Sequence, residues 1–352
     1  MRRGGNRRDI PLYSPSVSFR GGIRVKIAML QGKETREKVF RPEHLARLRE
    51  FGDVTLNEES GNPTEERARS LMAGADVAIT SWGCGPLTEK VLENAPNLKL
   101  VLHAAGTVKP IVTDALWRRG IRVSNATEAL GKGVAETALG FTIVSLKDMW
   151  RLSRGTREGG WGPVSGVREV YGLTIGVVGG GRAGSHYVKL MRQFDVRILL
   201  YDPFVDENRA REMGAEKAEL EELLRASDVV SIHVPSLPET YRMFDEARLA
   251  MMKDDCVLIN TARGSVIDEA ALAAELGKGR LFACLDVTDP EPPPPDHPFR
   301  RLPNVILTPH IAGAVNNGLA RIAHAVIQDL TAFIEGRPLN GEVREEQMHV
   351  LA

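Results

Sequence analysis

Six runs of mostly apolar residues, LTIGVVG, RILLYD, DVVSIHV, CVLINTA, LFACLDV and VILTPH, follow one another between residues 173 and 310. A strand with one face in water alternates apolar and polar side chains, whereas a strand covered on both faces does not. Runs of this kind predict a parallel sheet buried between helices, a doubly wound α/β layer whose ligands lie beyond the carboxyl ends of its strands.

The segment before it repeats the plan. VKIAML (25–30), DVAIT (76–80), LKLVLH (98–103) and IRVSN (121–125) read as strands. PEHLARLREF, TEERARSLMA and TDALWRRG have helical spacing, with Thr64 and Thr113 placed as N-caps. A long amphipathic stretch (131–153) follows and leads into a loop containing Gly and Trp. After the second series, residues 313–336 are helical again, with Leu319, Ile322, Val326, Leu330 and Phe333 at helical spacing. This last helix is expected to return to the first unit. The predicted division is a basic tail at 1–22, a substrate-binding unit at 23–125, a nucleotide-binding unit at 126–312 inserted into it, and a returning segment at 313–352. The expected fold class is α/β with two doubly wound parallel sheets, a Rossmann domain inserted into a flavodoxin-like one. The run EPPPPDHP (291–298) reads as a stiff connection, because a strong strand follows it.

A chain of 352 residues exceeds what one hydrophobic core usually holds. Its 46 basic and 46 acidic residues leave no net field for nucleic acid or an anionic membrane. No run approaches the roughly 20 apolar residues of a membrane span. Cys84, Cys256 and Cys284 are odd in number, widely spaced and without histidines in a ligand pattern, which argues against a disulfide framework and a metal site. The tail carries Arg2, Arg3, Arg7 and Arg8 among Gly, Asn, Pro and Ser, a composition that cannot bury enough apolar surface to order itself. It lacks the apolar run of an export signal and the amphipathic helix of a transit peptide, so a cytoplasmic location is expected.

Gly179, Gly181 and Gly184 come directly after the strand LTIGVV, and the helical RAGSHYVKLMRQF starts at the second glycine. That context sets a helix N-terminus and bare backbone N–H groups, including those of Arg182 and Ala183, against a pyrophosphate. The next strand ends in Asp202, 18 residues beyond Gly184. A carboxylate there accepts hydrogen bonds from a ribose and repels a 2′-phosphate, which favours NAD over NADP.

Arg263, Glu291 and His310 each follow a later strand of the same sheet and open a loop. Reduction of a 2-keto acid needs a planar cation for the carboxylate and carbonyl, which suits Arg263. It also needs a group that gives up a proton near neutral pH, which suits His310. A carboxylate beside that imidazole favours its protonated form and fixes the ring, which is the part assigned to Glu291.

Together these motifs resemble the D-isomer-specific 2-hydroxyacid dehydrogenase family over roughly residues 25 to 338. YGLTIGVVGGGRAG is similar to its nucleotide loop, SIHVPSLPET to its His-x-Pro segment, NTARGSVIDE to its arginine motif, LDVTDPEP to its glutamate motif and DHPFRRLPNVILTPHIAG to its histidine motif. The resemblance implies that Arg263, Glu291 and His310 carry the reaction. It also implies that His233, Pro235, Thr240, Thr261, Ala262, His310 and Gly313 line the cofactor site and that Asp286 sits near the nicotinamide carboxamide. VAE (134–136) would open the helix used to form a homodimer. One departure stands out. Where the family usually has an Arg-x-Gly-x-Gly-x-Asp-Asn loop whose amides bind the substrate carboxylate, this chain reads HAAGTVKP (103–110). Ala105, Gly106 and Thr107 still offer amides, and Lys109 in place of the acid is expected to favour a second anionic group on the substrate. Residues 336–352 follow the last helical pattern, so the regulatory domain that phosphoglycerate dehydrogenases of this family often carry is not expected.

Two readings compete with a 2-hydroxy acid dehydrogenase. One is a non-catalytic NAD(H)-sensing protein, which has no need for an acid–base pair. The other is an enzyme acting on formate or phosphite, where the resemblance would call for Gln at the position of Glu291.

Overall fold

The computed structural model describes residues 24–351, and the tail expected at 1–22 lies outside the described residues. The strands are β1 (Val25–Met29), β2 (Gly52–Leu56), β3 (Val77–Thr80), β4 (Leu100–His103), β5 (Arg122–Asn125), β6 (Thr174–Val178), β7 (Arg197–Tyr201), β8 (Glu216–Lys217), β9 (Val229–Ile232), β10 (Cys256–Asn260), β11 (Leu281–Leu285), β12 (Val305–Leu307) and β13 (Glu342–Val343). They form two sheets, in the orders β2-β1-β3-β4-β5-β13 and β8-β7-β6-β9-β10-β11-β12. Every pairing is parallel except that of β13 with β5. Renumbered from its own first strand, the second sheet has the Rossmann order 3-2-1-4-5-6 with one strand added. The first has the flavodoxin-like order 2-1-3-4-5.

Both sheets are covered on two faces, as the apolar runs require. Ile27, Met29, Ile79 and Leu102 pack on one side against Phe40, Leu48, Ile322, Val326 and Leu330, so the helix Leu319–Ile334 lies on the first sheet. Met72, Val91 and Leu116 cover the other side. In the second sheet Leu258 and Leu285 face Leu223, Phe244 and Leu272, while Val177 and Ile259 face Tyr187, Val188 and Ala138.

Several expectations need correction. Strand β2 has no apolar run, because it is an edge strand with alternating exposure, and β8 and β13 are two residues each. The stretch 131–153 is two helices, Thr127–Leu146 and Met149–Arg157, broken where Asp148 takes a φ of 50°. The last helix begins at Leu319 rather than near residue 313, after a loop and a short turn at Asn316–Gly318. Thr64 caps its helix by accepting from Arg67 N, but the Thr113 hydroxyl donates to Leu87 O instead. The helix Thr127–Leu146 is also long and apolar enough to cross a membrane, contrary to the expectation that no run is. Half of it is buried, chiefly against the helix Arg182–Met191 and β10. Gly131 allows that approach and Gly133 lets the loop after β12 come as close, since a Cβ on them would lie 3.1 Å from Ala183 N and 2.6 Å from Gly313 O.

The chain leaves the first sheet after β5 and rejoins it at β13, and a buried carboxylate secures the return. Asp329 accepts from the Ser124 hydroxyl, from Asn340 N at 2.8 Å and from Gly341 N at 3.0 Å. Asp329→Ala would strand these donors in a site only 3% exposed. It is expected to cost about 2–4 kcal/mol, read as a lower urea midpoint.

Candidate active site

The ends of six strands of the second sheet fall in one row. Tyr201 pairs with Val178, Val178 with Ile232, Ile232 with Asn260, Asn260 with Leu285, and Leu285 with Leu307. The residues that follow are therefore aligned along one edge: Asp202, Gly179, His233, Thr261, Asp286 and Thr308. At ~4.8 Å per strand this edge is roughly 24 Å long, enough to seat an extended ligand.

Its left half is a cradle. Gly179 has a φ of 102°, and a Cβ there would lie 2.8 Å from His233 C. A Cβ on Gly184 would lie 1.9 Å from Gly179 O, so glycine is what lets the helix Arg182–Met191 start against the strand end. Nothing lies within 4 Å of a Cβ on Gly181, which leaves open space at the helix N-terminus. Asp202 accepts from Gly180 N at 2.7 Å and Phe204 N at 2.8 Å, one bond per oxygen. Each oxygen keeps a lone pair, and no Lys or Arg pairs with Asp202 among the described residues. In the centre, His233 Nδ1 and Thr261 Oγ1 are buried with no partner. Burial pushes the His233 imidazole down to about 3, so it is neutral, and its Nε2 meets Ser231 Oγ at 2.9 Å. Unpartnered buried polar atoms beside a glycine cradle and an acid fit a dinucleotide.

Not every expected cofactor residue offers its side chain. The Arg182 guanidinium turns to Glu128 at 3.3 Å and Asn340 O at 3.1 Å, which leaves only backbone N–H groups of Arg182 and Ala183 for a phosphate. The Thr240 hydroxyl is committed inside its own loop, donating to Pro235 O at 2.6 Å. Asp286, 1% exposed, accepts from Thr308 Oγ1 at 2.5 Å, Ile311 N at 2.9 Å and Ala312 N at 2.7 Å. Its carboxylate thus shapes the loop that carries His310 and Gly313.

At the right end the expected reactive groups come together. His310 has a φ of 52°, and its N–H is held by Asp286 O and Thr308 O, each at 3.0 Å. Its Nδ1 lies 2.9 and 3.0 Å from the two oxygens of Glu291. Glu291 accepts a hydrogen bond from Nδ1–H, so Nε2 is left to face a substrate. Arg263 is half-buried and donates to Ala262 O at 2.7 Å. Burial works against its charge, and the nearby Glu291 carboxylate supports it. Asn260 fixes this turn by donating to Arg263 O and accepting from Ala262 N, a part that its place at the strand end could have suggested.

The altered loop after β4 lies next to this group. A Cβ on Gly106 would be 3.3 Å from one methyl of Leu130, and one on Gly313 would be 3.5 Å from the other. A single leucine side chain separates the two loops. Ala105 is buried with its carbonyl bonded to Ala126 N, Gly106 and Thr107 are partly exposed, and Lys109 is exposed. Beneath them His103 Nδ1 meets Thr80 Oγ1 at 2.9 Å, and burial lowers its pKa to about 4. Ser81 Oγ donates to Ala104 O, tying the 81–87 loop to the same place.

Comparison with known proteins places this edge within a matched domain. Residues 139–312 match the NAD binding domain of the D-isomer specific 2-hydroxyacid dehydrogenases. The chain is 35% identical over 312 residues to a glyoxylate reductase of Korarchaeum cryptofilum, covering 87% of this chain and 94% of that protein. It is 34% identical over 288 residues to a D-3-phosphoglycerate dehydrogenase of Archaeoglobus fulgidus, covering 81% of this chain but only 54% of that longer protein. Among solved structures, the TT0316 protein from Thermus thermophilus superposes with a TM-score of 0.71 at 31% identity, covering 91% of this chain and 100% of that one.

The cradle makes a two-part prediction. Gly184→Ala forces its Cβ onto a carbonyl and is expected to lower thermal stability and weaken NADH binding by ~10-fold or more, about 1.4 kcal/mol. Gly181→Ala meets no protein atom, so it is expected to weaken NADH binding while leaving thermal stability nearly unchanged. Fluorescence titration and thermal melts of both variants check this.

Proposed function

The chain belongs to the D-isomer specific 2-hydroxyacid dehydrogenase family and is an NAD-dependent oxidoreductase, and from that premise we propose that it interconverts a small 2-keto acid and its D-2-hydroxy acid. The observation that carries the reading is the His310–Glu291 hydrogen bond beside Arg263. Bound reduced nicotinamide supplies the hydride that C2 accepts. Arg263 holds the carboxylate and polarises the carbonyl with its planar fork, and amides of Ala105, Gly106 and Thr107 take a share of the carboxylate. His310 passes a proton from Nε2 to the carbonyl oxygen, and Glu291 keeps that imidazole oriented. One hydride and one proton are added, and in the reverse direction the neutral His310 takes the proton back. The glycine cradle, Asp202, His233 and Thr261 would hold the cofactor.

Residues 126–312 form the nucleotide-binding unit in this reading, inserted into a substrate unit made of 23–125 and 313–352. Its support is the chain's departure from the first sheet after β5 and return at β13. The acting unit is a homodimer formed through the helix Thr127–Leu146. In its support, about half of that helix's apolar window is unburied, and Met149 and Trp150 just beyond it are exposed. Sedimentation velocity is expected to give about twice the 38.6 kDa chain mass, and a monomer would remove this part of the reading.

The relatives reduce glyoxylate or act on D-3-phosphoglycerate by name, so the substrate panel is glyoxylate, hydroxypyruvate, phosphohydroxypyruvate and pyruvate. Purified protein is expected to oxidise NADH with at least one of them. His310→Asn is expected to lower kcat by about 10²–10⁴-fold. No turnover on the panel despite tight NADH binding would favour a sensor. Lys109 is proposed to select substrates with a second anionic group, so Lys109→Ala is expected to lower kcat/KM for the phosphorylated substrate more than for glyoxylate. An unchanged ranking would sink that role.

A further inference from the structure

We infer that Glu269 and His297 form a half-buried clasp that aims Glu291 at His310. The inference rests on the pairing of those two groups proposed above. The loop that carries Glu291 has one backbone hydrogen bond of its own, from His297 N to Pro294 O at 3.1 Å, and none that reaches Glu291. Six of the nine residues at 290–298 are proline, so only Glu291, Asp296 and His297 have a backbone N–H to donate. Glu291 is 41% exposed, and His310 is its only hydrogen-bond partner among the described residues. Its position must come from whatever fixes the loop around it.

One carboxylate grips both ends of that loop. Glu269 is the first residue of the helix Glu269–Gly277, and its Oε1 accepts from Asp289 N at 3.0 Å. Its Oε2 lies 3.1 Å from His297 Nε2. The two contacts lie two residues before and six residues after Glu291. His297 Nδ1 accepts from Phe299 N at 3.4 Å, so the tautomer with hydrogen on Nε2 donates to Glu269. The imidazole packs edge-on to Phe299, with ring centres 4.7 Å apart. Both side chains of the clasp are little exposed, Glu269 at 13% and His297 at 14%. Burial raises the Glu269 pKa, while the Asp289 amide and His297 pull it down, so the carboxylate depends on the loop as much as the loop on it. Arg300 donates to Pro293 O and Pro294 O, and Thr288 Oγ1 donates to Pro290 O, filling the acceptors that the proline run leaves. Neither Glu269 nor His297 touches the reacting groups, so both are positioning residues.

The test follows the titration of His310 by NMR on histidine-labelled whole protein, its signal assigned by its loss in His310→Asn. The ionisable group set against His310 is Glu291, and the charge that feels Glu291 is Arg263. Removing an anion beside an imidazole disfavours its charged form, so Glu291→Gln is expected to move the midpoint to lower pH. Glu269→Ala and His297→Leu are expected to move it the same way by most of that amount, and to add nothing in the Glu291→Gln background. Glu269→Gln keeps an acceptor for Asp289 N but sets its NH2 against the Nε2–H of His297, so it is expected to recover the midpoint only in part. A folded Glu269→Ala protein with an unmoved titration, or one whose effect adds to that of Glu291→Gln, would overturn the clasp. Should Glu269→Ala not fold, His297→Leu carries the same two outcomes. The readout needs no turnover, so an inactive wild type would remove the dehydrogenase reading and still leave the clasp decided.

Discussion

A buried carboxylate with no cation is stable only where several donors converge on it, and Asp286 imposes that demand on the end of the second sheet. It draws in one hydroxyl and two backbone N–H groups from residues 308–312, and in doing so bends that segment back over β11. The bend puts His310 in left-handed backbone, a conformation that a non-glycine residue keeps only where its surroundings hold it. The direction of the imidazole therefore follows from satisfying Asp286.

What the sequence made legible follows the same physics. Strands β6, β9, β10 and β11 could be read because burial on both faces leaves an apolar run. The cradle could be read because glycines at that spacing, between a strand and a helix, give a phosphate the room that side chains would fill. Arg263, Glu291 and His310 could be placed because each opens a loop at a strand end. Strand β2 could not, since its alternation resembles a loop followed by a turn, and β13 is defined only by its partner. The direction of Arg182 was equally hidden. Its place in the cradle gave only its backbone N–H a part, and Glu128 and Asn340 O, more than fifty residues away on either side, decide where its side chain points. His297 looked like an ordinary residue of a proline loop because its partner, Glu269, lies on a different element.

The junction between the two sheets is built for close approach as much as for charge. Gly131 and Gly133 bring the helix Thr127–Leu146 against Ala183 and Gly313, the one beside the cofactor cradle and the other beside the histidine loop. The same helix contributes Leu130, which touches both the substrate loop and the histidine loop, and Glu128, which holds Arg182. One helix thus sets the spacing among the cradle, the loop after β4 and His310, and methyl groups at Gly131 and Gly133 would push all three apart.

The proline run supplies stiffness of another kind. A flexible loop would lose conformational entropy each time Glu291 was brought to His310, whereas consecutive prolines have little backbone freedom left to lose. Prolines cannot donate, however, so a stiff loop of this kind drifts as a body unless side chains from neighbouring elements bind its ends. Glu269 at both ends, joined at the second by the Arg300 and Phe299 contacts, meets that need without using Arg263, Glu291 or His310. Stiffness in the loop and attachment from outside it are separable, and the exposed Glu291 carboxylate is left free to answer to His310 alone.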